Sequence, residues 1–192
     1  MTNTQRCAWC LSDPLYVHYH DNEWGRVVCD DRQLFACLCL EGMQAGLSWI
    51  TILKRRECYY QAFDDFDPAK IAQYDDDKVE KLMQNTSIIR HRAKILAIID
   101  NAKAYLKVTQ HQSFCKYLYT ILNAHGDFPK DNHPNVLQDI PTKTPASVAL
   151  AKQLKKDGFK FVGATTCYAF MQAVGMVNDH VMGCDYRTPR CR

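Results

Sequence analysis

Two cysteines and two histidines, split between the ends of the chain, have the types and spacing of a metal site. Cys7 and His20 stand with twelve residues between them, and His180-Val181-Met182-Gly183-Cys184 is an H-x3-C step that one turn can bring together. Thiolate and imidazole donors in a tetrahedral Cys2His2 set suit Zn²⁺. Such a site would tie the N-terminal segment to the C-terminus, where the apolar stripes are short. Spacing alone leaves alternatives open. Cys7-x2-Cys10 is itself a zinc spacing, and with ten cysteines and seven histidines such pairs also arise by chance.

Three further groups could carry chemistry. Glu41 follows Leu34 by seven residues and Leu38 by three, on a helix face that should be buried. A carboxylate there is expensive unless it is paired or used. It is the polar end of a pocket, with Trp49 on the same face if the helix continues, or a structural acid bonded to backbone, or an acid turned to solvent by a helix break. Trp9, Tyr16, Tyr19 and Trp24 crowd into sixteen residues that do not read as a regular element, which favours a pocket wall over core. Finally, Gly158-Phe159-Lys160-Phe161-Val162-Gly163 joins two helical patterns, with Lys155 and Lys156 just before it. A two-glycine turn and a helix N-terminus can present N–H groups to a phosphate. The same glycines also suit a plain helix–helix turn in which Gly158 is a C-cap.

The elements that must position these groups are helical, without period-2 alternation or a hairpin signal. Asp30 or Asp31 caps a helix from about Arg32, with Gly42 and Gly46 as candidate breaks. Asp67-Pro68 starts a short helix, and Asp75 to Asp77 cap another through Leu82. A long helix runs from about Arg90 to Lys107. Ser113 caps one through Ala124, Thr144-Pro145 starts one ending at Gly158, and the last spans about Ala164 to Val174. The expectation is a compact all-α single domain over residues 1–192, with irregular ends and a mobile tail from Asp185 to Arg192.

Composition sets bounds on the class of protein. The chain of 192 residues is 47% hydrophobic and 23% charged, the profile of an ordinary globular protein. Its longest apolar run, Leu34 to Leu40, is far below the roughly 20 residues of a membrane span. The Met1–Cys7 stretch has neither the apolar core nor the cleavage signal of a secretory leader. A cytoplasmic, non-membrane protein is expected, with cysteines serving as core, metal ligands or catalytic groups. The net charge is only +3, but residues 64–80 carry −5, residues 85–107 carry +4 and residues 150–163 carry +3. Two basic segments suggest a one-sided patch, or simply solvated helix faces.

The chain resembles the 3-methyladenine DNA glycosylase I family. The matching stretches are Asp13-Pro14-Leu15-Tyr16, Tyr19-His20-Asp21-Asn22-Glu23-Trp24-Gly25, and Leu40-Glu41-Gly42-Met43-Gln44-Ala45-Gly46-Leu47-Ser48-Trp49-Ile50-Thr51. Ile88-Ile89-Arg90-His91-Arg92, Gly158 to Gly163, and Val177-Asn178-Asp179-His180 continue it in family order. The resemblance implies a helix-hairpin-helix glycosylase fold. It assigns one structural Zn²⁺ to Cys7, His20, His180 and Cys184, because four protein ligands leave no open position. Cys10 has no counterpart in the family pattern. Base recognition falls to Glu41, with Tyr19 and Trp49 stacking on the base and Trp9, Tyr16 and Trp24 nearby. Gly46-Leu47 fills the gap left by a flipped nucleotide, and Gly158, Lys160 and Gly163 grip the backbone. The family has glycine where this chain has Ser87 and Ala93. A serine at 87 argues against a left-handed backbone there.

The implied activity is hydrolytic release of 3-methyladenine from alkylated duplex DNA, without strand cleavage, by a monomer that also binds the free base as product. A glycosylase must extrude its base to reach C1′. Asp179 is a secondary candidate for assisting water. Two other readings are a zinc-stapled helical DNA-binding module without catalysis, and a broader alkylbase glycosylase that also removes 7-methylguanine.

Overall fold

A computed structural model describes residues 4–187. These residues form ten α-helices: α1 Pro14–Asn22, α2 Asp31–Gln44, α3 Trp49–Leu53, α4 Arg56–Ala62, α5 Pro68–Ile71, α6 Asp76–Gln84, α7 Arg92–Val108, α8 Phe114–Asn123, α9 Pro145–Lys156 and α10 Ala164–Ala173. Short 3-10 turns precede α1, follow α4 and cover Leu137–Asp139. The sheet content is one parallel pairing of β1, Lys130–Asp131, with β2, Val177–Asn178. Among the described residues, no helix is long and apolar enough to cross a membrane.

The helix starts follow from their caps. Asp30, Asp67, Asp75, Ser113 and Thr144 each accept a first-turn backbone N–H, as the sequence suggests. The N-terminal aromatic segment, expected to be irregular, is instead helical in α1. Asp13 accepts from Leu15 N at 2.9 Å and Pro14 occupies the first turn, the same device that starts α5.

α2 is the central element. Leu34, Phe35, Leu38 and Met43 are fully buried, each worth roughly 1.5–3 kcal/mol of transfer free energy. It packs against α3, α7, α8 and α10. A second buried cluster, which shares Cys37 and Trp49 with the main core, gathers Cys7, Tyr19, Trp24, Leu53, Ala173 and Cys184. Of the two alternatives for α2, continuation to Trp49 or a break, the break occurs. The helix ends at Gln44, Gly46 turns the chain at φ +77°, and Trp49 opens α3. Gly42, offered as a break, stays helical.

The described part of the tail is hydrogen-bonded to both the N-terminal segment and the β1 region. Asp185 N donates to Gln5 O, and Gln5 N donates to the Asp185 carboxylate. Arg187 donates to His180 O, Asn132 O and Asp131. Residues 188–192 lie outside the described residues. Ser87 takes an ordinary backbone, its N–H and hydroxyl both donating to Asn85 Oδ1.

Candidate base pocket and metal cluster

α1 delivers two neighbouring side chains to two different places. His20 points into the cluster and Tyr19 into an adjoining cavity.

In the cluster, Cys7, His20, His180 and Cys184 are all buried, with their ligand atoms within 4.8 Å of one another. Cys184 Sγ lies 3.4 Å from His180 Nδ1 and 3.5 Å from His20 Nε2, and Cys7 Sγ lies 3.7 Å from His180 Nδ1. A tetrahedron with bonds of about 2.3 Å to sulfur and 2.05 Å to nitrogen has edges of roughly 3.4–3.8 Å. These three separations match such edges, and with all four ligand atoms within 4.8 Å of one another the cluster could hold a metal ion. The remaining ring nitrogens are already oriented. His20 Nδ1 meets Asp21 Oδ1 at 2.8 Å, and His180 Nε2 meets the Trp24 carbonyl at 3.2 Å. Asp21 is in turn clamped by the Arg6 guanidinium. The Cys7 thiol, shared with Cys184, holds the latter far below the usual thiol range, with help from His180 and His20. Cys10 is elsewhere engaged, its thiol donating to Cys7 O at 3.1 Å, so the alternative Cys7/Cys10 pair is not what the fold assembles. Spacing does not single out Asp21 or Arg6, although Asp21 adjoins a ligand histidine.

The cavity, about 390 Å³, is walled by Trp9, Tyr16, Tyr19, Trp24 and Trp49, with Glu41 and Gln44 from α2 and Tyr168 and Gln172 from α10. Its volume suits a small molecule. Leu137, Ile140, Pro141 and Thr142 of the preceding loop complete the rim. Trp9 is the hub, meeting Tyr16, Tyr19 and Trp24 edge-on at centroid distances of 5.1, 6.5 and 5.1 Å and reaching His20 at 5.4 Å. One aromatic wall thus serves both cavity and cluster.

Glu41 is buried, and its Oε2 has no hydrogen-bond partner. Burial pushes its carboxyl up to about 8. The Trp49 indole N–H is likewise buried without an acceptor. The structural alternative for Glu41, a carboxylate satisfied by backbone, is not observed. Tyr19 and Trp49, the rings expected to stack on a base, meet each other at an angle. Their centroids are 5.6 Å apart at a tilt of 49°, whereas a base held between two rings needs about 3.5 Å on each face, or roughly 7 Å. They form adjoining walls.

A larger cavity of about 470 Å³ lies behind the same two rings, bordered by Glu23, Arg56 and Tyr60. Its charges are paired, with Arg56 bidentate on Glu23 at 2.6 and 3.0 Å and 3.8 Å from the exposed Glu57. Only the first cavity presents an orphaned carboxylate oxygen among the described residues.

Asp179 stands apart from both. It is buried and accepts from Asn132 Nδ2, Tyr168 OH and Gln172 Nε2, each at 2.7 Å. Three donors occupy the carboxylate, and it does not line the cavity. Its visible effect is to orient Tyr168 and Gln172, which do.

The turn from Gly158 to Gly163 joins α9 to α10, which pack on each other. Phe159 and Val162 are buried, Lys155, Lys156 and Lys160 are exposed, and Phe161 takes a left-handed φ of 54°. Asn101 of α7, without a signal in the sequence, pins the turn. Its Oδ1 accepts from Lys160 N at 2.7 Å and its Nδ2 donates to Lys160 O at 3.3 Å. The Gly46-Leu47 turn is exposed at the end of α2.

The family model for methyladenine glycosylase matches residues 9–188. The chain belongs to the methyladenine glycosylase family. It is 54% identical over 181 residues to DNA-3-methyladenine glycosylase 1 of Escherichia coli (strain K12), covering 94% of this chain and 95% of that protein. It is 48% identical to the DNA-3-methyladenine glycosylase of Haemophilus influenzae (strain ATCC 51907 / DSM 11121 / KW20 / Rd), covering 96% and 99%. Among solved structures, a variant of 3-methyladenine DNA glycosylase I in complex with 3-methyladenine superposes with a TM-score of 0.91 at 39% identity, over 96% of this chain and 98% of that one. The Staphylococcus aureus 3-methyladenine DNA glycosylase I, solved to explain 3-methyladenine recognition, also gives 0.91, at 40% identity over 96% and 97%.

Proposed function

We propose that this methyladenine glycosylase releases 3-methyladenine from alkylated duplex DNA by hydrolysing the N-glycosidic bond. The observation that carries this reading is Glu41. A buried carboxylate oxygen without a partner, at the end of an aromatic cavity, is costly to the fold, and a cationic ring bearing an exocyclic amine removes that cost. Adenine methylated at N3 within a nucleotide is such a ring. Trp49 and Tyr19 offer faces for stacking and cation–π attraction, and the neutral Tyr16 phenol, its pKa raised by burial, adds a polar tip.

The alkylated base is already a good leaving group. Water adds to C1′, the C1′–N9 electron pair passes to N9, and the ring leaves neutral as water gives up its proton. Little acid catalysis is required, so Glu41 acts chiefly by holding the cation. Asp179 orients Tyr168 and Gln172 and does not activate water. The described cavity wall contains no lysine for a Schiff base, which supports a monofunctional enzyme.

The rest of the site serves delivery. Leu47 fills the gap left by the flipped nucleotide. The Gly158–Gly163 turn acts as a helix-hairpin-helix grip in which Lys160 faces phosphate. The cluster of Cys7, His20, His180 and Cys184 suits one structural Zn²⁺, with no position open for substrate. Incubating the protein with methylated duplex and identifying released bases tests the assignment. Release of 3-methyladenine with an intact abasic strand is expected. Release of 7-methylguanine as well would broaden it, and binding without release would make the protein a damage reader.

A further inference from the structure

Lys94 is a lysine in an unfavourable place. It lies in the first turn of α7, the positive end of that helix, and is only 6% exposed. Burial pulls its pKa down. Its own helix therefore gives no reason for a cation there. The compensation comes from α2, whose closing carbonyls have no partner within the helix. Lys94 Nζ donates to Met43 O at 2.8 Å and to Ala45 O at 2.6 Å. A cation at the negative end of α2 is favourable, and these two bonds fix the chain on both sides of Gln44, which lines the cavity. Glu41 lies two residues before Met43, and Leu47, exposed after Gly46, two residues beyond Ala45.

From this juxtaposition, and resting on the proposed glycosylase activity, we infer that Lys94 is a positioning residue: it locks the end of α2 so that Leu47 projects as a wedge into DNA. The ammonium does not line the cavity. It acts through the carbonyls that set the direction of the Gly46-Leu47 turn. A flexible turn would have to be ordered at each encounter with DNA, and an ordered one enters already aimed.

The test compares Lys94→Met, Leu47→Ala and the double variant in single-turnover release of 3-methyladenine from methylated duplex, alongside binding of free 3-methyladenine. Lys94→Met keeps the aliphatic length and removes both bonds. The expected result is a roughly tenfold to hundredfold slower release from DNA, with affinity for the free base changed by less than about twofold, because the wedge is not needed to bind a free base. The decisive arm is the cycle. In the Leu47→Ala background, Lys94→Met should add little, since coupled residues are non-additive. A general structural defect would add its full effect there. Should Lys94→Met fail to fold, Lys94→Gln, whose uncharged amide ends one atom short of the two carbonyls, carries the same cycle. Additive losses, undiminished release, or equal loss of free-base binding would each overturn the inference. Failure of the unaltered protein to release any base would instead overturn the glycosylase reading itself.

Discussion

The two halves of the site share an aromatic wall and differ in how completely their polar atoms are satisfied. In the Cys/His cluster both histidines have a partner on the ring nitrogen facing away from the cysteines: Asp21 behind His20 and the Trp24 carbonyl behind His180, with Arg6 in turn behind Asp21. Along the same wall, Glu41 Oε2 and the Trp49 indole N–H are buried with nothing to bond. A saturated cluster adds folding stability and fixes geometry. An unsaturated one lowers stability and creates demand for a ligand of matching charge. On the proposed reading, the difference separates a region that holds the fold from one that waits for substrate.

Breaking the saturated side should have the largest effect. Where four ligands hold a metal, binding free energy is folding free energy. Cys184→Ser is expected to lose the metal and lower the melting temperature sharply, as should chelation of the unaltered protein at elevated temperature. Cys10→Ser, outside the ligand set, should keep both. About one zinc per chain by elemental analysis is expected for Cys10→Ser and for the unaltered protein. Metal-free protein with an unchanged melting curve would leave the cluster as ordinary core.

Substitution on the unsaturated side should have the opposite sign for stability. Glu41→Gln keeps shape but cannot ionise. Release of 3-methyladenine should fall by roughly ten- to a hundredfold, the loss of a charge-assisted hydrogen bond worth about 1.5–3 kcal/mol. Stability should rise, and the pH dependence gives the sign. Between the ordinary value of 4.5 and about 8, the unfolded chain has released the Glu41 proton while the folded chain keeps it. The folded state therefore binds more protons, and the contribution of Glu41 to stability falls as pH rises through that window. The melting-temperature gain of Glu41→Gln should thus be larger at about pH 8 than at about pH 5. Catalysis should run the other way. Holding a cation requires ionised Glu41, so kcat/KM on alkylated DNA should climb toward about pH 8 in the unaltered protein. Glu41→Gln should lack that limb. Equal pH profiles for the two would remove Glu41 from base recognition.

What is legible in the sequence follows the same division. Caps are local, so the starts of α2, α5, α6, α8 and α9 can be read from Asp, Ser and Thr beside their first turns. α1 escapes such a reading although Asp13-Pro14 repeats the Asp67-Pro68 signal. Its two buried residues, Tyr19 and His20, are adjacent and face different sites, so it shows no apolar stripe. Glu41 stands out because a carboxylate on a buried face conflicts with its neighbours. Lys94 and Asn101 leave no such mark. Their partners, Ala45 and Lys160, are 49 and 59 residues away, and a lysine or asparagine on a long helix reads as surface until the tertiary contact is known. The surroundings of Asp179 are likewise not written beside it, since its three donors come from Asn132, Tyr168 and Gln172.

The smallest expected effect concerns the exposed grip, where neither saturation nor orphaned groups are at issue. Lys160 presents its side chain to solvent while Asn101 holds its backbone, so removing the side chain leaves the turn intact. Lys160→Ala should therefore fold normally and retain the pocket. It should weaken binding to methylated and unmethylated duplex alike, because phosphate contacts position a protein without reading sequence. Removing one lysine–phosphate pair reduces the slope of log K against log salt by about 0.9, so titrations across a range of salt should show a flatter line by roughly that amount. Asn101→Ala makes a useful partner, since it frees the turn while leaving the charge. It should weaken binding with little change in slope, because the same number of counterions is released. An unchanged slope in Lys160→Ala, together with a flattened one in a Lys155/Lys156 double alanine variant, would move the DNA contact from the turn to the last turn of α9.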